Sequence, residues 1–222
     1  MKKILQAFCV VMPWGIKRRL LRLFFGYQLH PTAYIGFSWI FPKDLTMNEH
    51  STIGHLNVAL HLDRVFVGAN SSIGRSNWIT GFPSGTDSGH FVHQATRKSE
   101  LRIGRHSAIT KNHHLDCTNT LRIGDFTTIA GYQSQFLTHS IDVLANRQDS
   151  KPIVIGNYCF VSTNVTVLGG SRLPDYSILG AKSLLNKYLA DNHKLYAGIP
   201  AKAIKNISED AAYFNRKNGF VH

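Results

Sequence analysis

Of the twelve histidines, His139 stands in the setting best suited to chemistry. The run Leu137-Thr138-His139-Ser140-Ile141-Asp142 leads into a polar loop and then into Lys151-Pro152-Ile153-Val154-Ile155-Gly156. An imidazole with an ordinary pKa of about 6.5 accepts a proton near neutral pH. His139 is therefore a candidate general base toward a hydroxyl, and with it no serine or cysteine nucleophile is needed. Asp142, three positions on, is a candidate orienter of that imidazole, a contact to the molecule it deprotonates, or a turn residue. His113 and His114 are the other concentrated pair. Neighbouring side chains on a flat strand point to opposite faces, so adjacent histidines are poorly placed to ligate one metal. The pattern predicts that one lines a cleft and the other meets neighbouring backbone or solvent.

The elements that must hold these residues are marked by an unusual period. From Ile155 an aliphatic residue returns every sixth position through Val161, Val167, Leu173, Leu179 and Leu185. Neither a helix nor an alternating strand has that period; a solenoid of short flat strands with one inward aliphatic residue each does. The same phase recurs earlier as Ile35-Gly36, Ile53-Gly54, Val67-Gly68, Ile73-Gly74, Ile103-Gly104 and Ile123-Gly124, then Ile129. Between Ile53 and Val67, Ile103 and Ile123, and Ile129 and Ile155 the gaps are 14, 20 and 26, each two more than a multiple of six. These coils are expected to carry inserted or looped-out residues. The stretches 81–100 and 136–151, rich in Gly, Ser, His, Asp, Arg and Gln, are the expected loops. They are either where binding groups sit on a rigid body or tolerated surface insertions.

Composition bounds the rest. A chain of 222 residues with 43% hydrophobic content buries a core and suits one principal domain. Cys9, Cys117 and Cys159 have no paired metal-type spacing, form no disulfide framework, and fit a reducing, cytosolic compartment. The net charge of +12 is uneven: no Asp or Glu precedes Asp44, while Lys2, Lys3, Lys17, Arg18, Arg19 and Arg22 crowd the first thirty residues. Ile16, Leu20, Leu23, Phe24 and Tyr27 fall on one helical face, and Pro13 and Gly15 separate that helix from the apolar run Ile4–Met12. Residues 1–29 thus form a basic amphipathic segment, read as a membrane-interface helix on the cytoplasmic side or as a cap on the solenoid end. The run before it is too short to span a bilayer. Nucleic acid is disfavoured as a partner, because the remaining positive residues are dispersed and no recognised module is present. Residues 30–190 make the solenoid. Residues 191–222 make a C-terminal tail and helix: 191–207 are expected to run back along the coils, and a short helix to begin at Ser208 and run through about Arg216.

The His139 motif, the Lys-Pro that follows and the uninterrupted Ile-Gly coils beyond it resemble the hexapeptide-repeat acyltransferases. The likeness is greatest to maltose and galactoside O-acetyltransferases and to acetyltransferases of bacterial surface-polysaccharide synthesis. It spans about residues 30–207. The resemblance implies a left-handed parallel β-helix, against the usual crossover hand, and a homotrimer with active sites between subunits. It implies acetyl-CoA as co-substrate, a sugar or lipid-linked saccharide as acceptor, and no metal. His139 matches the catalytic base, and backbone N–H groups at a coil corner would stabilise the oxyanion. Asn112, counted back from Arg122-Ile123-Gly124-Asp125, matches an acceptor-binding asparagine, with Asp142 and His114 as further acceptor contacts. Gly198-Ile199-Pro200-Ala201-Lys202-Ala203-Ile204-Lys205 is similar to the closing segment along the coenzyme A arm, so Pro200, Lys202 and Lys205 are candidate coenzyme residues. Gly180-Ala181-Lys182-Ser183 resembles a Gly-Ala-Gly-Ser corner with Lys182 in place of glycine; Gly180, Lys182 and Lys187 join the same set, the lysines facing phosphates. The γ-class carbonic anhydrases share only this fold. Their close His-x4-His pair has no counterpart, since the fifth residue beyond His139 is Leu144. Transfer to the amine of an amino sugar and a non-catalytic scaffold are the competing functions.

Overall fold

A six-residue period needs three flat faces to make a coil, and that is the architecture of the computed structural model, which describes residues 2–219 and Val221. Met1, Phe220 and His222, within the expected terminal segments, lie outside the described residues. Two seven-stranded parallel sheets and one nine-stranded sheet form a triangular prism, the left-handed parallel β-helix expected from the repeat. Each coil passes from sheet A (for example Leu121–Ile123) to sheet B (Thr128–Ile129) to sheet C (Gln135–Leu137) and back. The repeat residues stack in register inside: Ile109 on Ile129, Val161 and then Leu179 in sheet B, all at most 1% exposed. Each such burial contributes about 1.5–3 kcal/mol, realised only against the neighbouring coil.

The surplus of two residues has a different origin from the one expected. Strands of sheet A from Asp44–Met47 through Ile153–Ile155 carry two inward residues rather than one. Leu101 and Ile103 sit in register with Leu121 and Ile123, all buried. One added pleat of strand accounts for the gaps of 14 and 20, so nothing is looped out there. Loops do emerge at 81–99, and at a hairpin pairing His139–Asp142 with Arg147–Ser150. Phe136, counted at the sequence level in the second loop, instead fills the core of a sheet C strand. Both insertions leave the prism at the edge where sheet C returns to sheet A.

The edge between sheets A and B is closed. His106, Phe126, Tyr158, Tyr176 and His193 each turn it with positive φ and stack ring on ring, with centroids 4.7, 4.7, 5.2 and 4.8 Å apart and interplanar angles of 14° or less. Non-glycine residues in this region are strained, and the stacking offsets part of that cost. At this edge close approach requires glycine after the sheet A strand: a Cβ on Gly124 would lie 2.6 Å from the Gly156 carbonyl carbon in the next coil.

At the N-terminal end α1 (Lys2–Val11) and α2 (Trp14–Phe25) form a hairpin through Pro13. Gly15 lies inside α2 rather than separating two segments, and Gly26 ends the helix with φ 69°. Leu21, Cys9 and Tyr27 are buried, and Lys17 reaches through the cap to donate from Nζ to the Gly36 carbonyl at 2.7 Å. Burial pushes that ammonium down to a pKa of about 8. At the other end Lys194–Ala197 extends sheet B, and Lys202–Asn206 folds back antiparallel on it, so this stretch closes the last coil instead of running back along the prism. The expected C-terminal helix is a single 3-10 turn, Ala212–Asn215. Ser208 Oγ accepts only the Asp210 N–H, and instead of continuing a helix Phe214 packs against the aromatic stack at Tyr176 and His193 while Tyr213 packs on Phe160.

Candidate active site

His139 follows directly on a sheet C strand, and Asp116 ends the strand in the coil before it, in register with Leu137. The Asp116 carboxylate is a hub. Its Oδ2 accepts the Thr138 N–H (2.8 Å), the Thr138 hydroxyl (3.0 Å), the His139 N–H (3.0 Å) and His139 Nδ1 (2.8 Å), while Oδ1 accepts the Thr118 N–H and hydroxyl. Burial alone would raise its pKa, but the hydrogen bonds from His139 and Thr118 and the charge of His139 outweigh it and hold the carboxyl at about 2. An ionised carboxylate only accepts, so the proton of neutral His139 resides on Nδ1 and Nε2 keeps its lone pair. The hydrogen bond to Asp116 raises the His139 pKa against the opposing effect of burial. The ring is 43% exposed while Asp116 is 6% exposed. A buried anion thus aims a half-exposed base.

The two insertions close around this pair. The coil between them crosses the same edge with only the short corner 117–120, leaving room for the loop of residues 81–99 and the hairpin to meet above it. Gln94 Nε2 donates to Asp149 Oδ1 (2.7 Å) and the Ser150 carbonyl (2.8 Å), and its Oε1 accepts the Ser150 hydroxyl (2.6 Å). Arg97, buried, holds the loop base by donating to the carbonyls of Phe82, Pro83 and Thr118, with its guanidinium 4.6 Å from the Phe91 ring centroid. His139 is left between two cavities. One of about 270 Å³ lies under the loop, lined by Phe82, His90, Phe91, Asp116, Thr118 and Gln148. The other, about 410 Å³, continues along the edge toward later coils past Lys151, Gly169 and Asn186. The imidazole can therefore act on two molecules approaching from opposite sides.

The residues singled out from sequence sort by edge. Lys187 follows Asn186 on the His139 edge and is exposed. Asn112 and His114 line a different cavity with Trp78 and Gln133, on the edge between sheets B and C. Gly180 and exposed Lys182 turn that same edge in the last coil, and Pro200 follows nearby. Lys202 and Lys205 are exposed on the outermost strand of sheet B. Lys187 shares the His139 edge, but one chain does not bring the residues of the B-to-C edge and of sheet B to His139, because the width of sheet C intervenes. His113 is buried, its Nδ1 accepting the Ser134 N–H (3.1 Å) and its Nε2 3.0 Å from Thr110 Oγ1, and burial pushes its pKa down to about 4. His114 is exposed, as expected of one member of the pair. Asp142 does not orient His139: its Oδ1 accepts the N–H groups of Leu144 and Ala145 at the hairpin turn. That role belongs to Asp116, which the sequence reading missed. Its signal was register, one coil before Leu137, rather than proximity along the chain. Among the described residues no cluster of three His, Cys, Asp or Glu is placed to hold a metal.

No protein-family profile matches the chain. The galactoside O-acetyltransferase of Escherichia coli strain K12 is 29% identical over 121 residues, 52% of this chain and 59% of that protein. The chain therefore matches somewhat over half the length of that curated relative. Among solved structures, a hexapeptide-repeat containing acetyltransferase from Vibrio cholerae has a TM-score of 0.54 at 18% identity, covering 93% of this chain and 88% of the other. An N-acyltransferase from Bacillus cereus, solved with dTDP and coenzyme A, has a TM-score of 0.55 at 13% identity, covering 82% and 87%. The fold is that of the hexapeptide-repeat acyltransferases. Within it, the sequence is similar to a galactoside O-acetyltransferase.

Proposed function

We propose that the protein is an acetyl-CoA-dependent O-acyltransferase, an O-acetyltransferase acting on a sugar hydroxyl in bacterial surface-polysaccharide synthesis. The observation that carries this reading is the Asp116–His139 pair standing between two cavities. His139 Nε2 takes the proton of an acceptor hydroxyl held under residues 81–99 while that oxygen attacks the thioester carbonyl of acetyl-CoA arriving along the other cavity. The new C–O bond forms as the C–S bond breaks, and the imidazolium returns its proton to the leaving thiolate. Asp116, ionised throughout, stabilises the imidazolium. The likeness to galactoside O-acetyltransferase supports the sugar acceptor and acetyl-CoA as donor.

The separation of candidate residues by edge supports a homotrimer. A second chain set against sheet C would carry its Asn112, Gly180, Lys182 and Pro200 toward the His139 of the first. The lysines at 182, 187, 202 and 205 then serve the coenzyme phosphates as point charges. A lipid-linked saccharide acceptor and peripheral residence at the inner face of a membrane belong to the same reading.

The test is release of free coenzyme A from acetyl-CoA in the presence of simple glycosides, nucleotide sugars, amino sugars and lipid-linked saccharides, comparing the wild type with His139→Ala. Acceptor-dependent release reduced about 10²–10⁴-fold in the variant is expected. Release confined to amino sugars moves the reaction to N-acyl transfer. Failure of the wild-type protein to gain thermal stability with acetyl-CoA overturns the reading and favours a scaffold.

A further inference from the structure

The amphipathic stripe of α2 does not lie where a simple cap would put it. Lys17 and Leu21 face the solenoid at 2% and 1% exposure, whereas Ile16, Leu23 and Phe24 point outward at 49%, 77% and 57%. From α1, Ile4, Phe8 and Val11 are exposed as well. The hairpin therefore covers the first coil with one side and presents a second apolar side to solvent. Scattered surface leucines need no explanation, but six large apolar side chains on two adjoining helices do. Exposed Lys3, Arg19 and Arg22 belong to the same two helices, and the chain has no carboxylate side chain before Asp44. Apolar residues beside unneutralised cations match an anionic bilayer, which offers hydrocarbon below and phosphate at the headgroup level. No described helix is long and apolar enough to cross a membrane, so contact is interfacial.

We propose that the outer face of the α1–α2 hairpin seats the protein on an anionic phospholipid surface, and that it does so with the His139 edge adjoining the membrane. The second half follows from Phe24. It opens onto a groove of about 390 Å³ with Phe41, Pro42, Lys43, His61 and Pro83. Residues 41–43 and 61–63 are the corners of the first two coils on the edge that carries His139, and Pro83 belongs to the loop that roofs its smaller cavity. Adjacent coils are about 4.8 Å apart, so the coil bearing His139 lies about 14 Å along the prism from the corner at 61–63. A saccharide carried on a membrane anchor reaches that depth while its anchor stays in the bilayer. This orientation rests on the acceptor being a saccharide; the docking face does not.

The test is co-sedimentation of the full chain with vesicles of phosphatidylcholine alone and with phosphatidylglycerol added. Wild-type protein is expected to bind only the anionic vesicles and to be released by salt. Arg19→Ala with Arg22→Ala is expected to weaken binding about thirtyfold, and Leu23→Ser with Phe24→Ser to abolish it. Both pairs are exposed, and the thermal shift with acetyl-CoA, measured on the same preparations, reports whether the fold is intact. Absence of wild-type binding to anionic vesicles, or undiminished binding by the Leu23/Phe24 variant, overturns the proposal. A smaller mass for that variant in light scattering without vesicles overturns it too, because the face then joins two copies of the chain. Lost vesicle binding with acetyl-CoA binding retained leaves the enzyme reading standing, and the converse sinks the enzyme reading alone.

Discussion

In the proposed reaction His139 and Asp116 carry the chemistry, and their charges make separate predictions. As a base His139 must be neutral, so acetyl transfer should rise with pH through its raised pKa. Asp116→Asn removes the carboxylate charge and with it the charge-assisted hydrogen bond that raises it. The rise should then begin at lower pH, while the plateau falls about 100-fold or more because the ring loses its aim. An acid limb that stays in place in the variant would mean that His139 is not the titrating base. Folding has its own pH dependence. Asp116 is depressed to about 2 from an ordinary value of about 3.9, so its contribution of about 2 kcal/mol is present above the ordinary value and lost as pH falls through the folded one. His139, raised, contributes in the opposite sense: its share is present below about 6.5 and is lost as pH rises through the folded value. Urea midpoints measured from about pH 5 down to about pH 2 should fall in the wild type and flatten in Asp116→Asn. At this scale the sequence displayed His139, whose motif is local. It hid Asp116, because 23 positions along the chain become 2.8 Å only when the length of a coil is known.

Coils, loops and corners divide the work. The A-to-B edge accepts no insertion, since its stacked rings leave no room for extra backbone; both insertions leave from the C-to-A edge, on either side of a coil that lacks one. Gln94 is the bolt between them. Gln94→Ala should leave the global melting temperature nearly unchanged, since the lost bonds are in projecting loops. It should speed proteolytic cleavage within 81–99 and raise the KM for acceptor, and that for acetyl-CoA as well, because Asp149 and Ser150 also line the larger cavity. Equal cleavage rates would show that the loops hold their places independently. Phe136→Ala, by contrast, empties a fully buried site and should cost about 3–5 kcal/mol, read as a lowered denaturation midpoint. The sequence exposed the coils because inward residues must recur at a fixed interval. It did not expose the doubled inward position of sheet A, since two aliphatics two apart look the same in a longer strand as beside a loop. Nor did it reveal that Arg97 and Gln94 organise the first insertion; their partners lie elsewhere in the chain.

For the whole molecule, the N-terminal hairpin buries one side on the first coil and leaves a second apolar side exposed, so the sequence posed as alternatives what the structure allows together. Deleting residues 2–25 should therefore lower the melting temperature and expose the first coil, whether or not a membrane is bound, so point substitutions on the outer face are the discriminating change. Near the other terminus the 3-10 turn sets Phe214 edge-on against Tyr176 and His193, on the lateral A-to-B edge rather than over the end of the prism. The stack along the A-to-B edge has an optical consequence. Phe126, Tyr158 and Tyr176 are chromophores held almost parallel at 4.7 and 5.2 Å, and each is contributed by a different coil. Their transitions should couple into a near-ultraviolet circular dichroism band that exists only while consecutive coils stay in register. The protein thereby carries a built-in spectroscopic gauge of its own winding, legible during unfolding without any label.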